Sequence, residues 1–270
     1  MKIQHLIILA PFLIISELAN CNENERAYQI RLDKEGWGNA SPNDIEAVLY
    51  SACDSIHQHF APLKENEPIH VSRDKTGPIT LFQRNLRGEI IVKINTGDRY
   101  WCQYSYQMAH EFCHILCRFR NGSRRNLWFE ESLCEMASMF ALRSMAKTWK
   151  TSPPYPNWKS YSAFIRDYVK DLETKHALPE GISLADYYSD HSKKFEKDAV
   201  NRTMNGKIAG ALLIAFETNP EHWPSISYIN NGKAKEDISF PEYFKNWLNE
   251  APKKHHIFIH SLARQFGIPL

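Results

Sequence analysis

His110-Glu111-Phe112-Cys113-His114 is an H-E-x-x-H pentapeptide in the middle of a segment whose pattern predicts a helix. From Tyr104 to Phe119 apolar and polar residues are interleaved without Pro or Gly, and Asn121-Gly122 follows as a helix-ending signal. Residues i and i+4 of a helix lie on one face, so the two histidines point at one spot and can share a metal ion. The stretch therefore predicts a metal-binding helix.

The residue types in the pentapeptide suit zinc. Neutral imidazole nitrogens are common zinc ligands, which makes His110 and His114 the expected ligands of one Zn²⁺ per chain. Glu111 follows the first ligand and projects beside the metal, where it can take a proton from a bound water. We therefore expect Glu111 to be the catalytic base and not a ligand.

A catalytic zinc usually has a third protein ligand, and two arrangements supply one. The metzincin extension H-E-x-x-H-x-x-G-x-x-H is excluded, because Cys117 and Arg120 stand at the Gly and last His positions. The other arrangement takes a glutamate from the next helix, and residues 126–135 contain Glu130, Glu131 and Glu135 after a polar turn. The third ligand is expected among these acids.

In this region the sequence resembles the gluzincin metallopeptidases. Their liganding Glu often follows an aromatic residue by three positions and precedes a small and an apolar residue, as Trp128, Glu131, Ser132 and Leu133 do here. The resemblance covers residues 89–142, with Ser132 where Gly is common and a thiol inside the pentapeptide. It implies that Glu131 is the third ligand and that the chain is a zinc metallopeptidase.

Glu130 and Glu135 have other expected places on the same helix. One residue turns a helical side chain by about 100°, whereas four residues return it nearly to the same face. Glu135 is thus predicted to accept an N–H from His110 or His114 and to fix the tautomer of that ring, with a solvated helix face as the alternative. Glu130 is expected on a solvated face.

The predicted fold class is α+β, with a long helix and a small mixed sheet packed on the histidine helix and the glutamate helix. Ser41-Pro42-Asn43-Asp44 starts the long helix, which reaches about Phe60. Strands are predicted at residues 69–72, 79–83 and 89–95. The last of these is either a substrate-binding edge, as the resemblance implies, or an internal strand, because residues 90–92 are uniformly apolar.

Three prolines in residues 151–157 predict a boundary between a catalytic part, 27–150, and a mostly helical part, 158–270. Apolar stripes predict helices around residues 161–172, 204–216, 243–248 and 257–266. In enzymes of the gluzincin type a Tyr or His from this half assists the zinc in stabilising the oxyanion. Tyr187, Tyr188 and His191 are the candidates in a polar segment.

The amino terminus has Lys2, an apolar run over residues 6–15 and a polar exit, which predicts a signal peptide over residues 1–21 and an exported protein. Residues 18–21 also resemble a lipobox, so Cys21 is a possible lipid anchor and the product is secreted, periplasmic or membrane-tethered. A buried first element is the alternative. A disulfide joining Cys113 or Cys117 to Cys134 is geometrically conceivable, although free buried thiols are commoner.

A formal net charge of +2 with interspersed charges argues against a nucleic-acid partner. The favoured function is hydrolysis of a peptide or protein substrate, with the zinc lowering the pKa of its water and Glu111 moving the proton. The alternatives are an exported zinc- or peptide-binding protein that lacks turnover and a helical interaction module in which the pentapeptide is accidental. Substrate preference and oligomeric state do not follow from the sequence.

Overall fold

The computed structural model describes residues 27–60, 67–119, 125–235 and 237–270. Its fold is α+β, with a small mixed sheet and a long helix before a mostly helical second half, which confirms the predicted fold class. The predicted signal peptide or lipobox, with Cys21, lies outside the described residues. Within them, no helix is both long enough and apolar enough to cross a membrane.

Helix α1 (Pro42–His57) starts as its sequence predicts, with Ser41 at the N-cap and a proline in the first turn. It ends three residues before Phe60, where residues 58–60 form a turn. Its inner face is fully buried and supports the helix that carries the two histidines. The buried residues of this face include Ile45, Val48, Leu49, Ala52 and Ile56.

Four strands form one mixed sheet in the order β1-β2-β4-β3. Their bounds are β1 (Ile30–Leu32), β2 (Ile69–Arg73), β3 (Ile79–Arg84) and β4 (Ile90–Ile94). β1, β2 and β4 are parallel to their neighbours, whereas β3 runs antiparallel to β4. β4 is therefore internal, so of the two alternatives for residues 89–95 the internal strand is correct and the substrate-binding edge is not. Because β4 pairs on both sides and buries Ile90, Val92 and Ile94, its apolar run reflects the core. The edge strands of the described sheet are β1 and β3.

Helices α2 (Trp101–Leu116) and α3 (Leu127–Thr148) pack tightly against each other. α3 also contacts α1 and several helices of the second half, and it is buried on almost every side along its 22 residues. Its first turn is fixed by Trp128, which packs on Phe195 and Phe240 with ring centroids 4.4 and 4.6 Å away. This contact holds in place the turn that carries the candidate ligand Glu131.

The second half is helical. Its helices are α4 (Tyr161–His176), α5 (Leu184–Lys197), α6 (Arg202–Thr218), α7 (Phe240–Glu250) and α8 (His256–Gln265). Short 3₁₀ segments lie at Pro156–Trp158, Pro220–Tyr228, Gly232–Lys235 and Lys253–His255. α4 and α6 pack on α3, and one continuous buried core contains residues from both sides of the proline-rich segment 151–157.

Candidate metal centre

The two histidines of the pentapeptide lie side by side on the buried face of α2. Their ring centroids are 5.1 Å apart, and the planes meet nearly edge to face. His110 is buried and His114 is partly buried. The i, i+4 spacing thus aims both rings at the same space, the first turn of α3.

Glu131 lies opposite this pair and approaches both rings. Its Oε2 is 3.3 Å from Nε2 of His110, and its Oε1 is 3.6 Å from Nε2 of His114. The structure therefore brings together the three residues that the sequence predicts as zinc ligands. Each histidine turns the same ring nitrogen, Nε2, toward the carboxylate.

The other nitrogen of His110 faces Glu135, one turn further along α3. Nδ1 of His110 lies 3.4 Å from Oε2 of Glu135. The second oxygen, Oε1, accepts a hydrogen bond from the hydroxyl of Tyr106 and lies 3.9 Å from Nε2 of His176. Glu135 therefore has the place predicted for it, beside a ring nitrogen that does not face Glu131.

The other nitrogen of His114 faces Glu130. Nδ1 of His114 and Oε1 of Glu130 are 2.6 Å apart, and Nδ2 of Asn230 donates to Oε2 of Glu130 at 2.7 Å. Glu130 is 5% exposed, so the expectation of a solvated face is wrong. Two adjacent glutamates of α3 thus contact the same histidine, Glu130 at Nδ1 and Glu131 at Nε2 of His114.

Glu111 lies on the pocket side of α2 and is 2% exposed. Its Oε2 accepts a hydrogen bond of 2.7 Å from the hydroxyl of Thr80 on β3. The same hydroxyl lies 3.3 Å from the main-chain oxygen of Glu111. The predicted base is thus oriented by the edge strand, a contact that the sequence pattern does not reveal.

Acidic side chains outnumber basic ones at this centre. Burial lowers the pKa of His114, but Glu130 and Glu131 outweigh this effect and raise it to about 9. Burial likewise opposes protonation of His110, yet its carboxylate neighbours hold its pKa well above the usual value. Four carboxylates surround two imidazoles, and buried carboxylates are costly unless positive charge compensates them. The centre therefore favours a cation.

A thiol also lies close to the histidine pair. A ring nitrogen of His110, a ring nitrogen of His114 and Sγ of Cys134 lie within 4.8 Å of one another, so this group could hold a metal ion. Cys134 is fully buried and hydrogen-bonds with Cys113 and Cys117. Burial raises the pKa of the Cys134 thiol. All three cysteines are free thiols, without the conceivable disulfide.

A cavity of about 280 Å³ opens onto the histidines, Glu111 and Glu131. Part of its lining belongs to the edge strand β3, and another part belongs to α3 and the start of α6. The remaining described residues that line it are Pro78, Ile79, Thr80, Phe82, Phe119, Leu127, Glu130, Val200 and Arg202. The lining residue Arg202 is basic. No motif or spacing near it in the sequence predicts that it lies at the cavity.

The three oxyanion candidates are not among the described residues that line this cavity. Tyr187 is buried and stacks on His191, whose Nδ1 contacts the main-chain oxygen of Tyr187 at 2.9 Å. Tyr188 stacks on Trp128 at 5.5 Å, in the aromatic core. The structure therefore does not bring these residues to the histidine pair, because α5 uses its aromatic face for packing.

The chain matches no known protein-family model, no curated protein and no solved structure.

Proposed function

We propose that this protein is a zinc-dependent peptide hydrolase in which His110, His114 and Glu131 hold the metal and Glu111 is the general base. The supporting observation is that the two nitrogens of each histidine ring face different carboxylates. Both Nε2 atoms face Glu131, while both Nδ1 atoms face other carboxylates. Ligating histidines are commonly oriented in this way, with one nitrogen on the metal and the other bonded to an acceptor.

Two features favour Glu131 over Cys134 as the third ligand. Glu131 lines the cavity, whereas Cys134 is fully buried and does not. An ion on Glu131 would keep an open position for a substrate, which a catalytic site needs. In addition, Cys134 would have to lose its proton to bind zinc, whereas burial raises the pKa of this thiol.

The donor set fits zinc. Two imidazole nitrogens and one carboxylate form a recognised catalytic zinc site, and a divalent ion would compensate the excess of buried carboxylates. Zinc bound there supplies Lewis acidity, which polarises a carbonyl and makes a water molecule acidic near neutral pH. Glu135 and Glu130 would keep the rings of His110 and His114 in the tautomer that leaves Nε2 free to bind.

Glu111 would take a proton from the attacking water and pass it to the leaving amine. A base must lie within hydrogen-bonding reach of the proton that it abstracts and keep one orientation. Thr80 supplies that orientation by binding Oε2, so Oε1 is the oxygen that would face the water. The buried carboxylate therefore has a fixed side and a working side.

The edge strand β3 offers a place for an extended peptide. It is the last strand on its side of the described sheet, and Ile79, Thr80 and Phe82 line the cavity. A peptide that pairs with the main chain of β3 would cross the floor formed by the two histidines and Glu111. The role that the resemblance implied for residues 89–95 is thus transferred to β3.

The test is metal content and cleavage of a peptide library, measured on the same preparations. Wild type should contain about one zinc per chain and cleave some members. Glu111→Gln should keep the metal and lose turnover by about 100-fold or more. Glu180→Gln, which changes an exposed glutamate in the same way, should behave like wild type.

His114→Ala should lose both metal and turnover. Undiminished cleavage by Glu111→Gln would disprove the role of the base. A chain that binds one zinc and cleaves nothing would instead be a non-catalytic zinc protein, and a chain without stoichiometric metal would contain the pentapeptide by accident.

A further inference from the structure

Arg202 is the only lysine or arginine among the described residues that line the cavity. It is the first residue of α6, which contributes to the lining together with α3 and β3. Its side chain is exposed to solvent and forms no hydrogen bond or ion pair with another described residue. The guanidinium is thus free to bind something that enters the cavity.

Arg202 has no partner of its own among the described residues that would explain its position in the cavity lining. Other arginines of the described chain form ion pairs, such as Arg143 with Glu173 and Glu217. Arg202 forms no hydrogen bond or ion pair with Glu131, and its charge is only a minor cause of the lowered pKa of that carboxylate. A planar guanidinium with several N–H groups is suited to binding a carboxylate through two parallel hydrogen bonds.

The acidic groups of the cavity restrict where an anionic substrate group can bind. Glu111, Glu130 and Glu131 line the same space and would repel an anionic substrate group. A carboxylate would therefore be favoured near Arg202 and disfavoured beside these glutamates, and the proposed zinc is the other cation that could attract it. The wall formed by Ile79 and Phe82 leaves room for an apolar side chain.

We infer that Arg202 binds a carboxylate of the substrate and so selects peptides that carry a negative charge close to the bond to be cleaved. This inference rests on the proposed function, because it takes the bound peptide to be the substrate. Binding of the peptide can nevertheless be measured without turnover. The carboxylate comes either from the free end of the peptide chain or from an Asp or Glu side chain. Both sources offer the same two oxygens to the guanidinium.

The size of the cavity supports a short bound segment. Its volume of about 280 Å³ lies at the lower limit of ligand pockets, which range from about 300 to 1,000 Å³. A space of this size holds few residues, so a carboxylate near the reacting bond falls within reach of the α6 wall. This is the arrangement expected for cleavage near the end of a peptide.

The experiment measures peptide binding to zinc-loaded Glu111→Gln protein by calorimetry, with Arg202 intact or changed to Ala or Lys. Three probes share the acetylated sequence Ala-Phe-Leu-Ala: one ends in a free carboxylate, one ends in an amide, and one ends in an amide with Glu in place of the last Ala. The second substitution Arg166→Ala is the matched control, because this arginine is exposed on α4. Metal content is checked in every variant.

With Arg202 present, at least one carboxylate probe should bind about 10- to 100-fold more tightly than the neutral amide. Arg202→Ala should abolish this preference, Arg202→Lys should keep part of it, and Arg166→Ala should leave it unchanged. Preference for the free end or for the Glu side chain identifies the source of the carboxylate. Equal binding of all probes, a preference that survives Arg202→Ala, or no binding at all would overturn the inference.

A failure of the proposed function looks different. In that case the carboxylate preference and its loss in Arg202→Ala would be present, but wild-type protein would cleave none of the three probes and no member of the peptide library.

Discussion

The hydroxyl of Thr80 donates a hydrogen bond of 2.7 Å to Oε2 of Glu111 and thereby joins the edge strand of the sheet to the proposed catalytic base. Both side chains are buried, so water does not compete readily for this bond. The bond restricts rotation of the carboxylate without touching the metal ligands. We therefore expect Thr80 to act as a positioning residue, whose effect should appear in turnover more than in substrate binding.

We expect Thr80→Val, which keeps the shape and removes the hydroxyl, to lower kcat by about 10-fold while changing KM by less than about twofold. Thr80→Ser, which restores a hydroxyl, should recover most of the lost turnover. Steady-state kinetics with metal analysis on each variant makes the comparison. A Thr80→Val enzyme with wild-type kcat, or a serine variant no better than the valine variant, would show that this bond does not position the base.

The identity of the third ligand can be tested by comparing two residues that lie one turn apart on α3. Glu131→Ala should release the zinc, with a loss of affinity greater than the about 10- to 100-fold that removal of an outer partner causes. Cys134→Ala should keep about one zinc per chain, because the proposed site does not use the thiol. Metal content after dialysis against a weak chelator distinguishes them. Loss of zinc from Cys134→Ala with retention in Glu131→Ala would assign the metal to the buried histidine–cysteine group instead.

Features of this centre that depend on residues close together in the chain could be predicted from the sequence. The i, i+4 spacing of His110 and His114 fixes their common face. Among the three glutamates of the next helix, Glu131 is singled out only by the resemblance to the gluzincin metallopeptidases. These three residues do converge in the structure. The fold class also follows from local patterns, because the strands and helices that surround the centre have clear periodicity and turn signals.

The long-range part of the centre could not be derived in this way. Asn230 is 100 residues from Glu130 in the sequence, and the hydrogen bond that joins them depends on how the second half packs on α3. Arg202 reaches the cavity only because α6 begins beside it. Tyr188 fails as an oxyanion candidate for the same reason, since the packing of α5 on Trp128 directs it into the core. Side-chain destinations of this kind require the tertiary structure.

Glu130 and Glu135 should both tune the affinity of the proposed zinc site. Glu130 accepts one hydrogen bond on each oxygen, from Asn230 and from the ring of His114. Glutamine has a single acceptor oxygen, so Glu130→Gln would leave one of these donors facing an amide N–H. Glu135 likewise has one neighbour on each oxygen, His110 on one and the hydroxyl of Tyr106 on the other, so Glu135→Gln would also lose an acceptor.

We therefore expect Glu130→Gln and Glu135→Gln each to weaken zinc binding by about 10- to 100-fold. The exposed substitution Glu180→Gln should not change it. Competition with a chromogenic chelator measures the three affinities under one set of conditions. Unchanged zinc affinity in both buried variants would mean that these carboxylates serve folding alone.

Outside the centre, His255 should make folding stability depend on pH. Burial lowers its pKa to about 4, and the neighbouring Lys254 and His222 act in the same direction. Its Nδ1 lies 3.0 Å from Nδ1 of His222, and its Nε2 is buried without a hydrogen-bond partner among the described residues. A proton on this ring would therefore place an uncompensated charge in the folded protein.

The sign of the effect follows from the two pKa values. The ordinary value of 6.5 applies after unfolding, and the folded value is about 4, so between these limits the unfolded chain binds more protons than the folded one. The contribution of His255 to the free energy of unfolding should be complete above pH 6.5 and decline as the pH falls toward 4. Urea unfolding at pH 7 and pH 4.5, in excess chelator so that metal release does not contribute, should show a larger decline for wild type than for His255→Gln. His260→Gln, a histidine change five residues further along, should retain the wild-type decline. Equal declines in wild type and His255→Gln would show that this ring takes up its proton as readily in the folded protein as in the unfolded chain.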